Sequence, residues 1–297
     1  MSFCSTELNS ENLQNYEDAG RGLSMSQTLK VTRMAADAAH SKADRHFVTA
    51  LSRGLELLAC FRHGERMLGN QDLARRCGLP KSTVSRLTHT LTRLGYLVYV
   101  EESAKYSLGT ATLSLGSAML ARLDIRKLAH AHMQELADFS QAMVSLGARD
   151  RLSMTYIDVV RGPAAVTLSL DLGSRIQIAT SAMGRAYLTA VPEAERTDIL
   201  ERVRELAAEG RWPDLHAGVA RALEDIRKIG VCCSFGEWQK DVNAIAVPVR
   251  PGGGLPPMAI NCGAPAYIVS KDYLLEKVRP RLIALAKELE VSLGTAD

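Results

Sequence analysis

Apolar positions first settle into a sustained period at Phe47. Upstream, residues 1–45 scatter Ser, Asn and Gln with no repeat beyond a helix-compatible stretch at Ala35–His40, so a mobile tail is expected there. From Phe47 on, Val48, Leu51, Leu55, Leu58 and Ala59 recur at helical spacing, with Gly64 as the stop. A second helix is expected over Gln71–Cys77, with Asn70 as its N-cap and Gly78 closing it. Leu79-Pro80 breaks the helical path, because the residue before proline is pushed out of the α region. A third helix then runs from a Ser82 cap to about Leu94, where Gly95 ends it. Tyr96–Val100 and Lys105–Leu108 are β-prone runs around Glu101–Ala104, the pattern of a hairpin.

Beyond the hairpin, Thr112–Arg122 reads as a small apolar connecting helix with Leu113, Leu115, Met119 and Leu120. Helical patterns follow at Ile125–Gln141, Gly184–Ala190, Glu193–Leu206 and Val219–Ile229, the last ended by Gly230, and a long one at Ser270–Ser292. Strands are expected at Val144–Ala148, Met154–Val160, Ala165–Leu170, Ile245–Val249 and Met258–Cys262, with Pro251–Gly254 as a turn. Strand pairs joined by short turns imply an antiparallel sheet with helices on its faces, an α+β chain. The divisions are a tail over 1–45, a helix-turn-helix module with a hairpin wing over 46–110, a linker helix over 111–124 and a mixed domain over 125–297. No internal repeat is present.

Charge changes the picture of the small module. The net charge is +3, but residues 45–122 carry +6, whereas residues 1–44 carry −2 and residues 123–297 carry −1. A positive field concentrated in fewer than 80 residues fits a nucleic-acid-binding module, though a solvated basic surface has the same composition. Hydrophobic residues make up 46% and charged residues 23%, which is ordinary for a soluble globular protein. No apolar run reaches the roughly 18–20 residues of a membrane span, and no secretory signal is expected. The six cysteines have neither a disulfide framework nor metal-ligand spacing. A reducing cytoplasm is expected, with no cofactor and no metal. His130 and His132 stand two apart on a helix, on different faces, which argues against a metal pair.

Helix, tight turn with Gly78, and helix make a DNA-reading arrangement. In the second helix Val84, Leu87, Leu91 and Leu94 form an apolar face, and the other face offers Lys81, Ser82, Thr83, Ser85, Arg86, His89 and Arg93. Short hydroxyl side chains and an Arg near a helix start suit the major groove, where they reach base edges and the flanks reach phosphates. Lys105 and Tyr106 in the hairpin can touch the DNA as a wing. A plain three-helix subdomain with a solvated polar face is the alternative.

The runs Ala50–Leu58, Asp72–Leu87, Leu94–Leu97 and Tyr106–Gly109 closely resemble the IclR family of bacterial regulators. The resemblance continues through Leu172–Arg175, Thr180–Ala186, Ile226–Gly230, Glu237, Ala246–Val249 and Leu293-Gly294, so it spans about residues 46–294. It implies a winged helix-turn-helix followed by a GAF-like effector-binding domain with an antiparallel sheet. It also implies a regulator that binds double-stranded operator DNA and a small-molecule effector as a homodimer or a dimer of dimers. Family pocket positions fall on Ala182, Met183, Gly184, Ser234, Ala244, Ala246, Asn261 and Gly263, where ordinary core packing is the competing reading.

The residues themselves are compatible with that pocket. Thr180–Gly184 leads into a helix, whose first amides lack intrahelical acceptors and can hold a carboxylate. Ser234 and Asn261 are polar anchors among small apolar residues, which suits an organic acid with an apolar or aromatic body. Three departures from the family pattern bear on the effector: Arg185 for a commoner Lys, Cys232–Gly236 for a more acidic stretch, and Asp241–Ala244 where Gly and often Cys occur. Cys232-Cys233 reads as packing rather than thiol sensing. A hydrolase or transferase with an accessory DNA-binding module is the competing function. It lacks support, since no Gly-x-Ser-x-Gly, His-Glu-x-x-His or phosphate loop is present and no catalytic residue stands out.

Overall fold

The structure, a computed structural model, describes residues 47–61, 65–121, 124–164, 167–252 and 255–293. The tail over 1–45, the stop at Gly64, the end of the linker at Arg122 and Gly294 lie outside the described residues. The chain divides into two compact units, residues 1–119 and 120–297.

In the first unit, helices α1 (Thr49–Leu58), α2 (Asn70–Cys77) and α3 (Lys81–Arg93) precede a hairpin of β1 (Leu97–Val100) and β2 (Lys105–Leu108). Leu57, Cys60, Leu68, Leu73, Cys77, Val84 and Leu97 form its core. Both expected caps move by one or two residues. Gly69, not Asn70, caps α2, and its N–H donates to the Asp72 carboxylate at 3.4 Å. Pro80, not Ser82, precedes α3, because its fixed φ of −58° already sets the entry to a helix. Gly78 closes α2 with φ +62°, a left-handed turn that favours glycine. The inward stripe of α3 runs through Val84 and Thr88, and Leu94, expected in that stripe, is exposed. The expected hairpin forms, with Leu97 opposite Leu108 and Val100 opposite Lys105. Leu68 adds a bridge to Tyr106 through two 2.9 Å backbone hydrogen bonds. Helix α4 (Thr110–Ala121) follows, with Leu113, Leu115 and Met119 exposed.

The second unit is built on a six-stranded antiparallel sheet in the order β5-β4-β3-β8-β7-β6. Its strands are β3 (Met143–Asp150), β4 (Ser153–Arg161), β5 (Arg175–Gln177), β6 (Cys232–Phe235), β7 (Val242–Val249) and β8 (Met258–Pro265). Alternation assigns its two faces. Val144, Leu146, Ile245, Val247, Ile260 and Cys262 pack with α5 (Asp124–Ser140) and the C-terminal α9 (Arg279–Ser292). Met143, Ala244, Ala246 and Ala259 face α6 (Ala182–Ala190), α7 (Glu193–Leu206) and α8 (Trp212–Ile229). The pairing of β3 with β4 skips Ile157, a bulge. Tyr156 and Asp158, two apart, would share a face in a regular strand. The bulge turns Tyr156 into the α6 side, while buried Asp158 meets His130 of α5 at 2.8 Å.

Several expected boundaries change. The strand expected over Ala165–Leu170 is irregular in its described part, Thr167–Leu170, and short β5 pairs with β4 instead. Helix α8 starts at Trp212, seven residues before its expected start at Val219. The helix expected over Ser270–Ser292 runs from Lys271 to Ser292, capped by Ser270, with a local widening near its start. One turn at Lys271–Tyr273 passes into a wider π turn at Leu274–Val278 before α9. Pro280 has no N–H to donate to the preceding turn, which accounts for the widening.

Helix α6 starts hard against the chain that follows β5. A Cβ on Gly184 would lie 2.2 Å from the Ile178 carbonyl oxygen and 2.4 Å from its Cα. We expect Gly184→Ala to lower unfolding stability by about 3 kcal/mol, since backbone rather than a flexible side chain must move. Urea denaturation measures this, and an unchanged midpoint would show that α6 can lift without cost.

Candidate functional sites

Helix α3 presents one continuous polar surface. Lys81, Ser82, Ser85, Arg86, His89 and Arg93 are exposed, and Thr83 is half-buried. Ser85, Arg86, His89 and Thr90 line a shallow open depression on this face. Thr90, which sequence reasoning passed over, donates its hydroxyl to the Arg86 carbonyl at 3.0 Å and so stays on the helix. In the wing, Lys105 is exposed. Tyr106 is half-buried, with its ring 5.0 Å from that of Tyr99 and packed against the core, so it supports the hairpin. This is a basic helix face with hydroxyl and guanidinium groups free to meet base edges and phosphates.

A second site lies at the start of α6. A largely enclosed cavity is lined by Tyr156, Leu168, Ile176, Ser181, Ala182, Ser234, Trp238, Val242, Ala244 and Asn261. It has room for the centre of about one water-sized sphere, a volume of about 10 Å³. Ala182, Ser234, Ala244 and Asn261, all expected from sequence, come together here. The other four expected positions stand around it. Met183 is fully buried, and its sulfur would sit 2.3 Å from a Cβ on Gly147, so it packs against β3. Gly184 gives its N–H to the Ser181 hydroxyl at 3.1 Å. Ala246 is buried in the core on this face. Gly263 lies behind Ala244, where a Cβ would meet the Ala244 Cβ at 3.0 Å.

Ser181 caps α6, accepting from Gly184 and donating to the Gln177 carbonyl at 2.6 Å. That leaves the amides of Ala182 and Met183 at helix positions with no intrahelical acceptor. Ser234 donates to the Thr180 carbonyl at 2.8 Å. Asn261 is buried, and its side-chain oxygen has no hydrogen-bond partner among the described residues. Burial pushes the Tyr156 hydroxyl pKa well up, against smaller opposing effects of Asn261 and Ser145, so it stays a neutral O–H. Ser181 lies in the expected Thr180–Gly184 segment, whereas Tyr156 and Trp238 carried no sequence signal: Tyr156 faces the site only because of the bulge, and Trp238 sits in the turn after β6.

Arg185 lies beside the cavity rather than in it. Its buried guanidinium donates to the carbonyls of Ala179 at 3.0 Å and Cys233 at 2.9 Å, and to both oxygens of Glu237 at 3.0 and 2.7 Å. Arg221 meets Glu237 as well, at 2.7 Å. Burial raises the Glu237 pKa, but the hydrogen bonds and charge of Arg185, with Arg221, outweigh it and hold the carboxyl below its ordinary value. A lysine has no planar fork with which to make these four contacts. Burial pushes the thiols of Cys232, Cys233 and Cys262 up to about 12, in line with packing roles. His130 is taken by Asp158, and the described residues hold no cluster of metal-ligating side chains.

Two family models cover this architecture. The model described as IclR helix-turn-helix domain matches residues 50–101, and that described as Bacterial transcriptional regulator IclR C-terminal matches residues 117–291. The chain belongs to the IclR family of DNA-binding transcription regulators. The HTH-type transcriptional regulator TsaQ1/TsaQ2 of Comamonas testosteroni is 32% identical over 251 residues, 84% of this chain and 90% of that protein. The crystal structure of an IclR family transcriptional regulator from Brucella abortus matches with a TM-score of 0.75 at 47% identity, covering 85% of this chain and 95% of that one. An IclR homologue from Microbacterium hydrocarbonoxydans, solved with 4-hydroxybenzoate, shares the fold at 21% identity and a TM-score of 0.64, covering 83% of this chain and 98% of that one.

Helix α3 is the second helix of the helix-turn-helix, the one that enters the major groove in that motif, and Arg86 stands exposed on its first two turns. We expect Arg86→Ala to weaken binding to an operator, selected from a random duplex pool, by about 1–3 kcal/mol, with a smaller loss on random DNA. Gel-shift titrations at fixed salt test this. Equal losses on both DNAs would make Arg86 a phosphate contact.

Proposed function

We propose that this IclR-family regulator reads a two-fold operator as a homodimer, or as a dimer of dimers, and responds to a small organic acid held at the start of α6. Residues 46–110 bind DNA, 111–124 link, and 125–297 bind the effector. The protein works in the cytoplasm, and no described helix is long and apolar enough to cross a membrane.

The observation that carries the effector reading is the unsatisfied oxygen of Asn261 in a cavity at a helix N-terminus. A buried acceptor without a donor costs about 1–3 kcal/mol, and a ligand hydroxyl or amine restores the missing bond. The amides of Ala182 and Met183 supply the complementary donors for a carboxylate. Leu168, Ile176, Trp238, Val242 and Ala244 give the apolar walls against which a hydrocarbon or aromatic body packs. Ala182, Ser234, Ala244, Asn261 and the Met183 amide therefore touch the ligand, while the Met183 side chain, Gly184, Ala246 and Gly263 shape the walls behind it. Lys81, Ser82, Thr83, Ser85, Arg86, His89, Arg93 and Lys105 contact DNA, and Tyr106 braces the wing.

Benzoate, 4-hydroxybenzoate and short-chain carboxylates are the probes. We expect at least one to raise the thermal midpoint of the wild type, by a free energy near 2.7 kcal/mol at about 100 times its dissociation constant. Ala244→Leu, which fills the cavity, should abolish the shift while operator binding by the ligand-free protein persists. An undiminished shift in that variant would put the ligand elsewhere. Met183→Asp does not serve this purpose, because it would bury a charge against β3.

One recognition helix reads only a few base pairs, so two-fold assembly is the ordinary route to specificity. Exposed Leu113, Leu115 and Met119 on α4 are apolar surface available for it. Light scattering at micromolar concentration should give at least twice the chain mass, and Leu115→Asp should reduce it. A monomeric wild type, with or without DNA, would overturn this part.

A further inference from the structure

Two cysteines far apart in the sequence meet in the core of the DNA-reading unit. The sulfurs of Cys60, just after α1, and Cys77, the last residue of α2, are 3.1 Å apart. Both are buried, Cys60 completely and Cys77 with 6% of its surface exposed. Neither the DNA surface nor the effector pocket uses them. We propose that this pair is a redox modification site, at which a peroxide closes a Cys60–Cys77 disulfide and weakens the grip on operator DNA.

The geometry needs little change. A disulfide has its sulfurs about 2.05 Å apart, so an approach of about 1 Å converts the contact into a bond. The reaction balances in two steps. One thiol attacks hydrogen peroxide, breaking its O–O bond, and leaves as a sulfenic acid with one water released. The second thiol then attacks that sulfur and expels a second water. Two protons and two electrons pass from the thiols to the peroxide. A small oxidant is the appropriate class for sulfurs this enclosed.

The surroundings separate this pair from the other described cysteines. The hydrogen bond from Cys77 lowers the pKa of Cys60 against the opposing effect of burial, and the nearby Arg76 charge adds to the lowering. Arg76 is fixed there by its 2.9 Å hydrogen bond to the Cys60 carbonyl and by its pairing with Glu65. Cys232, Cys233 and Cys262, pushed up to about 12, hold their protons far more tightly. Thiolate character governs reaction with peroxide.

The consequence for DNA follows from the chain path. Only Gly78, Leu79 and Pro80 separate Cys77 from α3. A close-packed interior transmits displacement rather than absorbing it. Drawing the end of α2 toward the end of α1 therefore moves the turn and tilts the reading helix away from its base contacts.

The test uses the full chain, reduced and then treated with hydrogen peroxide at millimolar concentration. Non-reducing peptide mapping should recover a Cys60–Cys77 cross-linked peptide two mass units lighter than the two reduced peptides together. Affinity for an operator selected from random duplexes by the reduced protein should fall at least tenfold and return with dithiothreitol. Cys60→Ser and, separately, Cys77→Ala should bind that operator as reduced wild type does and keep binding after peroxide. Failure to cross-link under conditions that oxidise other thiols would overturn the proposal. So would a cross-link that leaves operator affinity unchanged, or an equal loss of affinity in both variants. The peptide map and dithiothreitol reversal use only wild type, so an unstable variant does not remove the test.

Discussion

The cavity side of the second unit depends on one buried cation. Arg185 projects from the second turn of α6 into a space where water cannot solvate it, and four protein acceptors replace that water. Those acceptors come from the chain before α6, from β6 and from the turn that carries Trp238. A buried guanidinium is tolerated only when its donors are met, so the three segments are held at fixed separations by the same requirement. The cavity is the space between them. Helix α8 joins through Gly218, where a Cβ would fall 2.1 Å from an Arg185 nitrogen. The departure from lysine at this position thus bears on how the cavity walls are held rather than on direct contact with its contents.

The sheet contributes through a second constraint, its alternation and the single break in it. Ala244 and Asn261 face the cavity because β7 and β8 alternate without interruption, so Ile245 and Cys262 must fall on the opposite face. Only the bulge in β4 allows Tyr156 to face the cavity and Asp158 to anchor α5 on the other side. One extra residue supplies a neutral hydroxyl to the cavity and a carboxylate to the helix interface.

Element types were legible wherever a period was long. The three helices of the helix-turn-helix module, the presence of its hairpin, and Glu193–Leu206 follow from the spacing of apolar positions. What was not legible shares a cause, which is that several local signals compete. Gly69 displaced Asn70 because Asp72 reaches back to the preceding amide, and Pro80 displaced Ser82 by fixing φ. Strand β5 has three residues, too few for a period to show. In the cavity, small residues at family positions were readable, yet Tyr156 and Trp238 depend on a bulge and on a turn held by a distant arginine. Neither dependence has a local sequence signature. The contact between Cys60 and Cys77 was hidden for the same reason, since it brings together two residues 17 apart in the sequence, one just after α1 and one at the end of α2.

The cavity is nearly filled, and this shapes any account of how a ligand could act through it. A space for one water-sized sphere cannot accept a carboxylic acid without movement of its walls. The conformation described here therefore binds such a ligand poorly, and a more open one binds it better. That difference in affinity is the only quantity through which a ligand can shift the balance between two arrangements. Arg185 limits where the opening can occur, because moving α6, β6 or the Trp238 turn separately would break charge-assisted hydrogen bonds. Leu168 belongs to the irregular stretch Thr167–Leu170, which no sheet partner holds along its length. The wall that carries Leu168 lies outside the Arg185 hydrogen bonds, and the polar groups of Tyr156, Ser234 and Asn261 line the cavity apart from it.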